Sequence, residues 1–166
     1  MSIRFWLLRS ACLVVFALPT AFAAETTLNE ASAWQTGTFK WLLPSPVLSP
    51  ADRPNDPCYS VKDPSVVYFE GRWHLFSTIR SVKRSHQIEY VSFKDWTDAP
   101  RAPRHVLTLT NGYFCAPQVF YFTPQQRWYL ICQALDSNRK VPLQPAFSTS
   151  PDLSRPQSWR TSPGGC

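Results

Sequence analysis

Asp63 lies in the stretch Tyr59-Ser60-Val61-Lys62-Asp63-Pro64, directly ahead of the apolar run Ser65-Val66-Val67-Tyr68-Phe69. A carboxylate in this setting has the makings of a general base. It accepts a proton from water, the neighbouring Lys62 favours its ionised form, and Pro64 fixes the backbone beyond it. Asp-Pro is also a common turn starter, so these residues alone leave a catalytic and a purely structural reading open. The other chemically capable side chains are more scattered. His74, His86 and His105 have no ligand-like spacing and read as strand-face or surface residues. Glu70 falls in a turn and Glu89 opens a strand-like run, and both are expected in solvent. The cysteines Cys58, Cys115, Cys132 and Cys166 lack zinc-site spacing, so no metal site is assigned. They permit three disulfide pairings, and Cys132, within Trp-Tyr-Leu-Ile-Cys-Gln, equally suits a buried thiol.

The elements that must position Asp63 are strands. Asp63-Pro64-Ser65-Val66-Val67-Tyr68-Phe69 is followed by a polar turn and then by Arg72-Trp73-His74-Leu75-Phe76. A second stretch repeats the plan: Ala116-Pro117-Gln118-Val119-Phe120-Tyr121-Phe122, a polar turn, and Arg127-Trp128-Tyr129-Leu130-Ile131. Pro64 and Pro117 are 53 positions apart. Each pair is followed by a third strand-like run and a loop ending in tryptophan. The runs are rich in β-branched and aromatic residues, and no helical period with caps is evident after residue 24. A repeat of about 50 residues, built from three or four short strands, is the mark of a β-propeller blade. Asp63 occupies the start of the first strand of its repeat, and Ala116 holds the same place in the next. The scaffold is kept while the chemistry changes.

Two recognisable repeats, with a strand-like stretch at residues 38–48 ahead of them, amount to about two to three blades. Propellers close with about four to eight. The expected fold is therefore all-β and propeller-like but incomplete, filling residues 24–166. Residues 1–23 read as a secretory signal: Arg4 and Arg9, an apolar run from Ala11 to Leu18, and the small-x-small site Ala21-Phe22-Ala23. The apolar run is shorter than the roughly 20 residues that span a bilayer. Removing this leader lowers the formal charge from +6 to +4, spread thinly over the chain. That argues against nucleic acid, which asks for a basic stripe, and leaves weak attraction to acidic polysaccharide.

The blocks Phe39-Lys40-Trp41, residues 59–78, Tyr90-Val-Ser-Phe-Lys-Asp-Trp96, residues 116–130 and residues 146–159 occur in this order. Together they resemble glycoside hydrolase family 62, over roughly residues 37–161. The resemblance implies a five-bladed propeller and an exported, monomeric α-L-arabinofuranosidase that removes arabinose side chains from arabinoxylan by inverting hydrolysis. It needs no cofactor for the chemistry; a structural calcium near the propeller centre is expected, without assigned ligands. In inverting hydrolysis one carboxylate activates water and a second carboxyl group, about 6.5–9.5 Å away, protonates the leaving oxygen. The resemblance makes Asp63 the general base and puts Lys62, Tyr59 and Gln118 in the substrate pocket, with Tyr113 and Phe114 also able to stack on sugar. The general acid and an acid-tuning aspartate are expected beyond residue 166. Ala134 stands where a pocket-wall tryptophan is common. Cys58 and Cys115 stand where cysteine is unusual, and each precedes its repeat's key position, which makes the pair a candidate for a local disulfide. Two other readings remain: a related five-bladed xylan or arabinan glycosidase, and a non-catalytic propeller that binds cell-wall polysaccharide.

Overall fold

The computed structural model describes residues 35–161, apart from 39, 41, 110 and 111. The leader and Cys166 lie outside the described residues. The chain divides into two units, Met1–Pro44 and Ser45–Cys166. In the first, Leu42 and Leu43 are exposed. The strand expected across residues 38–48 is not formed by any described residue of that stretch. Its prolines, Pro44 and Pro46, remove backbone donors that a strand would use.

In the second unit eight strands form two sheets. The first sheet, in order, comprises β1 (Cys58–Phe69), β2 (Arg72–Ser81), β3 (Gln87–Phe93) and β4 (Arg104–Val106). The second comprises β5 (Phe114–Phe122), β6 (Arg127–Leu135), β7 (Leu143–Ser150) and β8 (Arg160–Thr161). All neighbours are antiparallel and sequential. Each sheet is thus an up-and-down meander, as the internal repeat required. The short fourth strands β4 and β8 follow 3-10 turns at Trp96–Arg101 and Pro156–Ser158.

Side-chain alternation explains the layering. On β6 the buried residues are Trp128, Leu130, Cys132 and Ala134, with Arg127, Gln133 and Leu135 exposed between them. That buried face meets Phe76, Ile88 and Tyr90 of the first sheet, joined by Phe114, Leu107 and Trp159 in one core. Strand β2 is buried on both faces. Its other face, with Leu75 beside Val91 and Phe93 of β3, is covered by Leu48, Ala99 and Ala102 of the same chain.

The two sheets therefore stack through non-equivalent faces. Phe76 of Arg72-Trp73-His74-Leu75-Phe76 points at the second sheet. Ile131, its counterpart in Arg127-Trp128-Tyr129-Leu130-Ile131, is 40% exposed, beside exposed Phe120, Phe122 and Phe147.

A buried carboxylate fastens the first sheet. Glu89, expected in solvent, is fully buried and paired with Arg53 and with Arg104 (3.4 Å). Arg53 also reaches Cys58 Sγ at 2.7 Å. The expectation failed because both partners are distant in sequence and neutralise a charge that would otherwise be costly to bury. His74 is likewise buried, its Nδ1 2.9 Å from Tyr90 Oη and its Nε2 3.3 Å from the Phe69 carbonyl.

Candidate active site

Asp63 sits at a break in the β1–β2 ladder. Pairing skips between Lys62 and Ser65, and Asp63 has φ 53°, in the left-handed region. The second sheet has the same feature: pairing skips between Cys115 and Gln118, with Ala116 at φ 54°. The two repeats therefore share a bulge as well as a residue pattern. A bulge turns a side chain out of the pleat and is common beside functional groups. Aspartate accepts this backbone more readily than most residues. Alanine has no side chain to compensate for it.

The bulges are tied across the sheets. The Ala116 backbone N–H donates to Thr78 Oγ1 (2.8 Å), and that of Val119 donates to Ser65 Oγ (3.0 Å). Around the first bulge the chain gathers polar and aromatic groups. The Asp63 carboxylate is partly exposed, 4.0 Å from Lys62 Nζ. Tyr59 is 55% exposed, with the Arg80 guanidinium 5.3 Å from its ring centre, the reach of a cation–π contact. His86, in the loop between β2 and β3, lies against Tyr113, with ring centres 4.5 Å apart. The Cys115 sulfur is 3.3 Å from the Tyr113 hydroxyl oxygen and 3.6 Å from Gln133 Oε1.

Electrostatics connect these groups. Partial burial holds His86 below the usual histidine range, helped by Arg80 and Lys62, while Asp63 opposes the shift. Tyr113 is pushed up to about 12, first by its hydrogen bond with Cys115, then by burial and by the charges of Cys115 and Asp63. Tyr113 is thus a neutral phenol at neutral pH, able to donate to a sugar hydroxyl. The assembled cluster is Tyr59, Lys62, Asp63, Arg80, His86 and Tyr113. It offers one carboxylate, cations beside it, the exposed Tyr59 ring and the half-buried rings of His86 and Tyr113. It can bind a polar ring and activate one water; it holds no second carboxylate to protonate a leaving group.

Several site expectations are corrected. Gln118 is exposed opposite Ile131, on the strand face that carries Phe120 and Phe122. Phe114 is fully buried in the core and cannot stack on sugar. Ala134 is also a core residue, 2% exposed, so it forms no pocket wall. Cys58 and Cys115 are not joined: both are thiols, one beside Arg53 and the other beside Tyr113. Arg80 joins the site although it was not singled out from the sequence, and so does His86, which read there as a strand-face or surface residue. The signal available for them was only that Arg80 stands one residue before the end of β2 and that the loop after it meets the start of β5. Among the described residues no three His, Cys, Asp or Glu side chains converge on a cation site, so a structural calcium gains no ligands here.

No family model matches the chain. A curated relative does: α-L-arabinofuranosidase C of Cellvibrio japonicus (strain Ueda107) is 33% identical over 118 residues, 70% of this chain. Among solved structures, the catalytic domain of the Coprinopsis cinerea GH62 α-L-arabinofuranosidase matches with a TM-score of 0.59 and 36% identity over 70% of the chain. The chain is a partial GH62-like protein. A GH62 hydrolase solved in complex with xylotriose matches equally well, at TM-score 0.59 and 30% identity over 74% of the chain. The GH62-like chain spans 17% of the curated relative and 35–36% of the two solved structures.

Proposed function

We propose that this GH62-like chain is part of an exported α-L-arabinofuranosidase that removes arabinose side chains from arabinoxylan by inverting hydrolysis. Asp63 is the general base. Lys62, Tyr59, Arg80, His86 and Tyr113 surround the sugar, and the general acid comes from sequence outside these 166 residues. The observation that carries the reading is the left-handed bulge at Asp63, which sets a carboxylate among rings and cations, in a chain similar to arabinofuranosidases. In this reading the two meanders are two blades of a five-bladed propeller. Their stacking through non-equivalent faces supports that, as does the exposed aromatic face of the second sheet, whose counterpart in the first sheet seats a neighbour.

The test is arabinose release from arabinoxylan by the longer protein that contains this chain and by its Asp63→Asn variant. The variant is expected to lose about 10²–10⁴-fold in rate while still binding the polysaccharide, the usual size of a lost acid–base group. Equal rates in the two proteins would remove Asp63 from the chemistry. A second reading is favoured by one observation: the cluster contains a single carboxylate. A non-catalytic module that binds cell-wall polysaccharide would show binding, no arabinose release, and no effect of Asp63→Asn on turnover.

A further inference from the structure

At the other end of the strands lies a second cavity, of about 590 Å³, between the β1–β2 turn and the segment after β7. It is six residues along β1 from Asp63, roughly 20 Å at the rise of a strand. Three rings form its wall. Trp128 meets Phe69 edge-on at 5.0 Å and Tyr121 edge-on at 5.2 Å. Trp128 is buried, but Phe69 is 37% exposed and Tyr121 45%. Two carboxylates and a hydroxyl stand at the rim: Glu70, Asp152 and Ser154.

Each rim group is held in place. Glu70 and Gly71 both take positive φ, 49° and 73°, in the tight turn between β1 and β2. Asp152 accepts hydrogen bonds from the Ser154 backbone N–H (2.8 Å) and hydroxyl (2.6 Å) and pairs with Arg155 at 3.0 Å. These bonds keep its carboxyl below the usual range, so it remains an acceptor. Glu70 makes no ion pair among the described residues.

We propose that this cavity is a second carbohydrate-binding groove, separate from the Asp63 site, that takes a neutral, hydroxyl-rich oligosaccharide. A sugar ring has an apolar C–H face that packs on aromatic faces, which carry negative charge density, and a rim of O–H donors that suits carboxylate acceptors. The volume falls within the range of small-molecule sites. Charge selects the class of ligand. Two carboxylates exclude an acidic sugar, and Arg155, already paired with Asp152, leaves too little negative charge to favour a cation over a neutral ring. The choice of a plant-type oligosaccharide rests on the proposed function; the groove itself does not.

The experiment is an amide and indole NMR titration of the full chain with xylotriose. Expected are shifts at Glu70, Gly71, Ser154 and the Trp128 indole, retained in Asp63→Asn. Tyr121→Ala and, as a milder change, Glu70→Gln are each expected to weaken this response at least fivefold while leaving the thermal midpoint within the range of other surface variants. Shifts confined to Tyr59, Asp63, His86 and Tyr113 would overturn the groove, as would no response at all. A response to choline in place of xylotriose would also overturn it, by showing a cation site. Arabinose release by the longer protein that contains this chain is read in parallel: its absence with the groove shifts intact defeats the enzyme reading and leaves the groove standing.

Discussion

His74 shows how much one side chain can be asked to do. The Phe69 carbonyl can only accept, so His74 Nε2 carries the proton and the Tyr90 hydroxyl donates to Nδ1. This arrangement needs a neutral ring. Burial lowers the pKa of His74, as does Arg72, while the Phe69 carbonyl, Asp152 and Glu70 act in the opposite direction. The net shift is downward. The unfolded chain therefore takes up a proton near pH 6.5 that the folded chain refuses. Stability is complete above that pH and falls as pH drops through it toward the lower folded value. Thermal melts between pH 7.5 and 5 are expected to show the decline, and His74→Gln to reduce it to the part that the lowered pKa of His86 contributes. A flat profile in the parent protein would mean that the ring is charged or solvated.

At the scale of elements, the paired bulges are the feature to test. Ala116 holds a left-handed backbone with no polar side chain to support it. Relief of that conformation is worth about 1–2 kcal/mol, against about 0.5–1 kcal/mol lost to the greater freedom of glycine in the unfolded chain. Ala116→Gly is thus expected to stabilise by about 0.5–1 kcal/mol in denaturant unfolding, and Ala116→Val, stiffer at Cβ, to destabilise. The strands themselves were legible because their cues are local: β-branched and aromatic runs, turn residues and the recurrent Arg-Trp pair. Asp63 was legible as a candidate from Lys-Asp-Pro. The bulge was not, since alanine at 116 gives no sign of positive φ. Glu89 was misjudged because its partner Arg53 stands 36 residues away. His86 was passed over because only the folding of the β2–β3 loop against the start of β5 sets it on Tyr113.

For the whole molecule, the exposed face of the second sheet matters most. Phe120, Phe122, Tyr129, Ile131 and Phe147 line an open apolar cavity of about 380 Å³. Contiguous apolar surface of this kind drives association. The protein is expected to scatter light increasingly with concentration, and Phe120→Asp combined with Phe147→Asp to suppress this without lowering the unfolding midpoint. Unchanged scattering would show that the face is not sticky in solution. The bulges carry a related consequence. Strands β1 and β5 end their sheets, and an unpaired, regular strand is a template for strand addition and fibril growth. Asp63 and Ala116 interrupt that template midway, and Ser65 and Thr78 occupy two backbone donors of β5 that an incoming strand would need. The kink that aims a carboxylate at solvent also guards these two borders against amyloid.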